Sequence, residues 1–170
     1  MRHLAILLTA GAIVLAGSCI VAADPHQGGI GLHYWFTMDD IDSQNSFDED
    51  GYNWIFSYKY KNSLIGFLGD LEVARQEIAG DDDFVLSPQA FVLIGDFLYC
   101  GVGIGIHYAD GDFSDLFYAL KAGIDMEIID DFLHLDVSLN YRFDNWDYDA
   151  VQDDVDTDTV TLGVTGRIEF

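Results

Sequence analysis

The stretch LHLDVSLNYRF, residues 133–143, carries the strictest pattern in the chain. Every second residue from Leu133 to Phe143 is apolar or aromatic, and the residues between them are polar or charged. Alternation with a period of two places successive side chains on opposite faces of a β-strand. A helix would instead need apolar residues three or four positions apart. The stretch therefore predicts a strand with one apolar face and one polar face.

The same alternation recurs along the chain. The predicted strands cover residues 29–38, 52–61, 64–78, 84–94, 98–108, 118–128, 133–144 and 159–170. The third of these is ambiguous, because Leu71, Ala74 and Ile78 also fit one face of a short helix. Asp70 and Glu72 share the face opposite Leu71, and this favours a strand. Pro88 is an irregularity in the fourth segment, since proline in a sheet is usually confined to edges and bulges.

The connections decide which face of each strand is buried, because a water-soluble barrel or sandwich shows the same alternation with its apolar face inward. Tight turns are expected near 61–63, at Gly95-Asp96 and near 129–131, and longer loops near 39–50, 79–83, 109–114 and 145–157. Short turns at one end and long loops at the other are typical of outer-membrane barrels. Strands of about 10 residues also suit a bilayer, which tilted strands cross in about 9–11.

The first 23 residues have the pattern of a secretory signal. Met1-Arg2-His3 is basic, residues 4–16 are apolar, and small residues end at Val21-Ala22-Ala23. The apolar run is shorter than the about 20 residues of a spanning helix. We expect a signal peptide over 1–23 and a barrel domain over 24–170. Lipoprotein processing at Cys19 remains an alternative to cleavage after Ala23.

Composition excludes several classes of protein. The chain has 7 Lys plus Arg against 30 Asp plus Glu, a net charge of −23, yet half of its 170 residues are hydrophobic. That much apolar side chain requires a folded structure. No basic surface is available to neutralise phosphates, so we expect no nucleic-acid partner. Of the two cysteines, Cys100 alone would remain after cleavage, which leaves no disulfide.

The chain has a signal-like leader, strands of alternating polarity, and short turns at one end with long loops at the other. In this combination it resembles the small outer-membrane β-barrel families, the OmpA- and OmpX-like eight-stranded barrels, over residues 24–170. Its last ten residues, TLGVTGRIEF, are similar to the C-terminal assembly signal of that class and end in Phe170. Gly166 departs from that pattern, where a larger apolar residue is more usual. The resemblance implies an all-β, antiparallel, up-and-down transmembrane β-barrel of eight strands in the bacterial outer membrane. It also implies contact with outer-membrane lipids and with the assembly machinery through the last strand.

The predicted inward faces are rich in opposite charges. Eight strands leave an interior that side chains fill or that holds one small ligand. We expect a buried ionic plug, with a narrow polar conduit as the alternative. Gly101, Gly103 and Gly105 form an inward stripe that leaves room for bulky neighbours such as Trp35. The charged residues assigned to the interior are Lys59, Lys61, Lys121, Arg142, Arg167, Asp70, Glu72, Asp125, Glu127, Asp136 and Glu169.

Nineteen of the 30 acidic residues crowd the predicted loops, which would make a solvated, repulsive outer surface. Hard oxygen ligands also suit divalent cations, so weak Ca²⁺ or Mg²⁺ bridging to anionic headgroups is a hypothesis. Residues 154–158 begin like a calcium loop, but Thr159 and Thr165 replace the glycine and closing glutamate of an EF-hand. The loop acids are Asp39, Asp40, Asp42, Asp48, Glu49, Asp50, Asp81, Asp82, Asp83, Asp110, Asp112, Asp115, Asp144, Asp147, Asp149, Asp153, Asp154, Asp156 and Asp158.

Catalytic and metal motifs are weak. His33, His107 and His134 fall on inward faces but at different heights, so we expect hydrogen bonding and no metal site. His134 and Ser138 share a face, but four strand residues separate them by about 13 Å. That is too far for a nucleophile and its base. We therefore expect neither an enzyme nor a cofactor.

Together these features predict a structural or surface-interaction protein with acidic external loops and a filled polar interior. Two alternatives remain, a narrow porin-like channel or carrier for small solutes and a lipid-modifying enzyme. The sequence names neither a partner nor a solute.

Overall fold

Eight β-strands account for nearly all of the chain that the structure, a computed structural model, describes. The described residues are 26–38, 50–62, 64–78, 81–109, 112–146 and 155–170, so the predicted signal peptide and Cys19 lie outside them. Within these ranges, no helix is long and apolar enough to cross a membrane. The strands are β1 (His26–Thr37), β2 (Asp50–Asn62), β3 (Ile65–Ile78), β4 (Asp81–Gly95), β5 (Leu98–Ala109), β6 (Asp112–Ile129), β7 (Leu133–Trp146) and β8 (Val155–Glu169).

The strands form a closed barrel in which each pairs antiparallel with its neighbours in sequence. β1 also pairs with β8, where Leu32 lies opposite Val164, and this ladder closes the cylinder. A closed sheet has no unpaired edge, which is the condition for a β structure in lipid, where no water can satisfy free N–H and C=O groups. The predicted eight-stranded, up-and-down antiparallel barrel is confirmed.

The polarity of the barrel is the reverse of that of a water-soluble protein. Leu98 is 69% and Tyr118 is 64% exposed on the outer wall, whereas Arg142 and Glu72 are each 1% exposed inside. Apolar residues on the outside and charged ones in the lumen are what a hydrocarbon solvent selects. The alternation in residues 133–143 therefore predicted both faces of the strand, and the apolar face is the one on the outer wall.

Segment 64–78 is a strand, as the position of its acidic residues predicted. Asp70 and Glu72 are buried in the lumen, while Leu71 between them is on the outer wall. Pro88 faces outward in the middle of β4 and pairs with Leu71 of β3. The β4–β5 ladder passes from Leu86↔Tyr108 to Gln89↔Gly105. The proline thus lies in an interruption of that ladder, where its missing N–H is tolerated.

Several predicted boundaries are wrong. β4, β6 and β8 begin earlier than expected at the loop end, and at the turn end β1 begins at His26 where Gly29 was expected. β4 begins at Asp81 and pairs with β3 as far as Ile78↔Asp81, so Asp81–Asp83 are strand residues. β6 begins at Asp112 and β8 at Val155, so Asp112, Asp115, Asp156 and Asp158 also lie on strands. The same is true of Asp50, the first residue of β2, and of Asp144 in β7. Backbone pairing does not require apolar side chains, and beyond the lipid the alternation that marks a strand in sequence fades. Strands of 12 to 18 residues exceed the about 9–11 that cross a bilayer.

Candidate functional site

Four buried ion pairs lie in the lumen. The described part of the chain contains four buried cationic side chains, which are Lys or Arg. It also contains four buried acidic side chains, which are Asp or Glu. Every one of these cations lies within 2.8 Å of a carboxylate oxygen, and no side chain in the four pairs is more than 5% exposed. The pairs are Lys59–Asp125, Lys121–Asp70, Arg142–Glu72 and Arg167–Asp136. The opposite charges predicted for the interior are therefore buried there and paired in equal numbers.

Three of these pairs span the lumen. Lys59 of β2 reaches Asp125 of β6 at 2.5 Å, and Arg142 of β7 reaches Glu72 of β3 at 2.8 Å. In an eight-stranded barrel, strands four apart are diametrically opposite, so these two pairs cross the full width. Alternation turns each side chain inward, and the long Lys and Arg stems then reach the far wall. The pairs connect opposite walls of the barrel.

Three side chains contact the buried carboxylate of Glu72. Its Oε2 accepts hydrogen bonds from Arg142 at 2.8 Å and from Asn53 at 3.3 Å, and its Oε1 lies 2.7 Å from Nδ1 of His33. A buried charge is tolerated where ion pairing and hydrogen bonds replace water. Asn53, which the sequence analysis did not single out, belongs to this cluster and is signalled only by its inward position on β2.

A second polar chain lies at the turn end of the lumen, the end at which residues 26 and 170 also lie. His134 places Nδ1 3.0 Å from Asp125 and Nε2 3.0 Å from Glu169. The amide of Gln27 donates to Glu169 at 3.2 Å. This chain joins β1, β6, β7 and β8 and continues through Asp125 to Lys59.

Two charges expected inside belong to the barrel rim instead. Lys61 pairs with the exposed Asp96 of the β4–β5 turn. Glu127 is exposed and accepts a hydrogen bond from the backbone N–H of Asp131 at 2.6 Å. Both residues lie where the lumen opens to water, and the β6–β7 register shifts between Glu127 and Ile129. Glu127 pairs with His134, so it keeps the predicted inward face but lies at the exposed rim and not in the buried lumen.

The lumen also contains an apolar cluster that the sequence analysis missed. It is made by Leu68, Phe91, Leu93, Tyr99, Phe117 and Ala119. The inward glycines make room for it, since a side chain at Gly103 would collide with the ring of Phe91 and one at Gly105 with that of Phe117. Trp35 contacts Gly51 instead, so naming it as the neighbour of the stripe was wrong. The rings belong to the strands on either side of the glycines. The alternation within one strand does not predict which strands pair, so it could not predict this cluster.

The three inward histidines make separate contacts. His33 contacts Glu72, His107 lies 2.7 Å from the hydroxyl of Ser87, and His134 bridges Asp125 and Glu169. Among the described residues, no group of three or more His, Cys, Asp or Glu could hold a metal ion. Both ring nitrogens of His134 are occupied by carboxylates, so neither is directed at Ser138.

At the loop end, two of the acidic residues are held by tyrosines. The hydroxyl of Tyr34 donates to Asp50 at 2.7 Å, and that of Tyr141 donates to Asp158 at 2.5 Å. Tyr34 also packs against Tyr52, with ring centroids 5.0 Å apart. Amphipathic rings of this kind suit the boundary between lipid and water. Of the other acids assigned to loops, residues 39–49, 110, 147, 149, 153 and 154 lie outside the described residues.

Comparison with known proteins gives likenesses in structure. No protein-family model matches the sequence, and no curated protein matches it. The crystal structure of Neisserial surface protein A is similar with a TM-score of 0.66 at 15% identity, covering 85% of this chain and 97% of that one. The outer membrane protein AlkL in lipid bilayers is similar with a TM-score of 0.51 at 14% identity, covering 90% and 93%. A designed transmembrane β-barrel reaches 0.50 at 11% identity, covering 86% and 99%.

These likenesses establish the fold, and the physical chemistry of the molecule agrees with them. The wall is apolar, the lumen is charged and paired, and the short turns lie at one end. The chain is a closed, eight-stranded β-barrel of the outer-membrane kind.

Proposed function

We propose that this protein is a non-conducting barrel with a structural or surface-interaction role, which presents its acidic loop end as a contact surface. The observation that carries the proposal is the set of lumen-crossing ion pairs, above all Lys59–Asp125 and Arg142–Glu72. A permeating ion would have to displace buried charges that already satisfy one another.

Reconstitution in planar bilayers tests the closed lumen. The unaltered protein is expected to give no reproducible unitary conductance. The variants Lys121→Ala and Arg142→Ala each remove one lumen cation and serve as a matched pair, since both residues are buried and paired with carboxylates of β3. Discrete openings of the unaltered protein, with a size that changes in either variant, would overturn the closed lumen.

A narrow channel is the second candidate, and one observation favours it. Trp35, Thr161 and Asn140 lie in one hydrogen-bonded row across β1, β8 and β7. Trp35 Nε1, Thr161 Oγ1 and Asn140 Oδ1 are buried and have no hydrogen-bond partner among the described residues. Such atoms are usually satisfied by water. Water at these three atoms would fit either function, and the conductance measurement separates them.

We further propose that the acidic loop end carries the partner contact. Replacing the acids of residues 39–49 by Asn and Gln should abolish binding of a surface partner while leaving the barrel folded. Divalent cations are the simplest ligands for such a surface, through weak bridging to anionic headgroups. Chelator is then expected to lower thermal stability or membrane retention, and no change in either would exclude the bridging.

We propose no catalytic role. The contacts of His134 with two carboxylates support this, because they leave neither of its ring nitrogens for a nucleophile. Ser87 and His107 are within hydrogen-bond distance of each other, but they are only 4% and 1% exposed, which also supports this proposal. Release of acyl chains from vesicles, lost on a single Ser or His substitution, would contradict it. We also propose that the assembly machinery recognises β8 and Phe170, whose backbone N–H bonds to His26 O at 2.8 Å.

A further inference from the structure

A groove lies in the outer wall of the barrel, lined mainly by residues of the outward faces, with the inward residues Leu68, Phe91 and Gly103 also in its lining. It has a volume of about 770 Å³ and runs across β2 to β6. One row of paired residues crosses it: Tyr58, Gly69, Ala90, Ile104 and Tyr118. The two ends of this row carry large side chains, and between them lie the two smallest residues, Gly69 and Ala90. The groove is thus a depression in the lipid-facing surface.

The floor of the groove is empty because two outward positions lack large side chains. Gly69 pairs with Ala90, and both belong to the outward faces of β3 and β4. A side-chain carbon built on Gly69 meets only the backbone oxygen of Tyr58, at 4.0 Å. The backbone would therefore accept a larger residue at Gly69, and the space there is available to a ligand.

A polar pair borders the groove toward the turn end. Nδ1 of His26 lies 2.5 Å from the hydroxyl of Tyr58, and both residues line the groove. A neutral imidazole carries one N–H and a tyrosine one O–H, and their mutual hydrogen bond uses one of the two protons. In either tautomer, one donor remains for a further acceptor. The pair can donate a hydrogen bond to a ligand oxygen.

We propose that this groove binds one phospholipid, with an acyl chain lying over Gly69 and Ala90 and a phosphate or ester oxygen accepting a hydrogen bond from the His26–Tyr58 pair. The occupant follows from position. The groove is continuous with the apolar wall, whose surroundings are acyl chains. His26 is the first residue of β1, at the end with the short turns, which faces the periplasm in barrels of this fold.

The gain on binding is packing, because lipid tails are as apolar as the wall and the hydrophobic effect is absent between them. A gap at the floor would forfeit dispersion contacts that an acyl chain restores. The hydrogen bond at the polar end then selects a lipid with an acceptor oxygen near that depth. A phospholipid bound in this way should exchange more slowly than the lipids along the rest of the wall.

The test uses two variants matched in chemistry. Gly69→Leu fills the groove, and Gly166→Leu adds the same side chain to the outward face of β8, where nothing lies within 4 Å of the added carbon. Each barrel is folded in vesicles of phosphatidylethanolamine and phosphatidylglycerol, extracted in mild detergent, and weighed by native mass spectrometry. Folding of each variant is checked by the mobility difference between unboiled and boiled samples on a gel.

The expected result is one retained phospholipid per barrel for the unaltered protein and for Gly166→Leu. Gly69→Leu should retain about tenfold less, equivalent to about 1.4 kcal/mol. The double variant His26→Phe with Tyr58→Phe, which removes both donors and keeps two rings, should also retain less. Equal retention in the unaltered protein and Gly69→Leu would overturn the proposal, as would a mass of two chains lost only in Gly69→Leu, which would assign the groove to a second copy.

A measurement on the unaltered protein avoids any dependence on variant folding. A phospholipid with a photoreactive diazirine in its acyl chain is incorporated in the vesicles and irradiated, and the labelled peptides are mapped. Labelling should concentrate on β3 and β4 around Gly69 and Ala90. Equal labelling around Gly166 on β8 would show that the groove holds lipid no better than the rest of the wall.

Discussion

Individual charges in the lumen stabilise the barrel only as members of pairs. Alternation in the sequence predicts which charged residues point inward, because it depends only on position along one strand. It does not predict which partner each one meets. That depends on the register of strands far apart in sequence, as in Lys59 with Asp125, 66 residues away.

Glu72→Gln tests the strongest cluster. The substitution removes the charge but keeps the shape, so Arg142 stays buried without its counter-ion. Breaking one partner of a buried ion pair costs about 3–5 kcal/mol. We expect the free energy of unfolding to fall by that amount in urea titrations of vesicle-embedded protein.

The control is Asp96→Asn, which disrupts the pair with Lys61 at the exposed turn end, where Asp96 is 79% exposed. Exposed pairs contribute about 0–1 kcal/mol, so this change should be small. Equal effects of the two substitutions would contradict a stabilising role for the lumen pairs.

The inward glycines leave space in the lumen for aromatic rings of neighbouring strands. Gly105→Val is expected to destabilise the barrel by about 1–3 kcal/mol, because the added side chain meets the ring of Phe117. Combining it with Phe117→Leu should recover part of the loss. Gly166→Val, at an outward position with no atom within 4 Å of the added carbon, should change the unfolding free energy little. Absence of any recovery in the double variant would show that the ring is not the obstacle.

At the scale of elements, strand existence and facing are predictable here, whereas strand ends are not. The alternation is imposed by lipid on one side and by lumen on the other, so it marks the crossing part of each strand. β4 and β6 continue to Asp81 and Asp112 through backbone pairing alone, which leaves no trace in residue polarity. The apolar cluster in the lumen also departs from the alternation. Leu68 and Phe91 are apolar residues on the inward face, so both faces of their strands are apolar at these positions.

The β4–β5 turn gives an element-level prediction. Gly95 has φ of 124°, a conformation that L side chains rarely adopt, and a side chain there would collide with the backbone at Leu98. Gly95→Ala should lower stability by at least about 1–2 kcal/mol and slow barrel formation, as followed by the time course of the folded gel band. Asp131→Gly relaxes another positive-φ residue, at φ 55°, and should leave folding intact. Unimpaired folding of Gly95→Ala would contradict the turn geometry.

At the scale of the whole molecule, the reversal of polarity explains both the fold and the location. Charges that would be on the surface of a soluble protein are paired in the lumen, and apolar side chains that would form a core face outward. This arrangement is stable only when the wall is solvated by lipid. The sequence predicted it because connections and strand lengths agreed with the membrane alternative. The ion pairs of the lumen and the groove in the wall could not be predicted from the sequence, because both depend on how the strands are arranged in the closed barrel.

The most direct test of this account is the gel mobility of the detergent-solubilised protein from the membrane fraction, with and without boiling, after protease treatment. We expect the unboiled protein to migrate as a distinct, protease-resistant band that boiling converts to the unfolded form. Protein found in the soluble periplasmic fraction, with no heat-dependent shift, would contradict the account, because the apolar faces would then have to form an internal core.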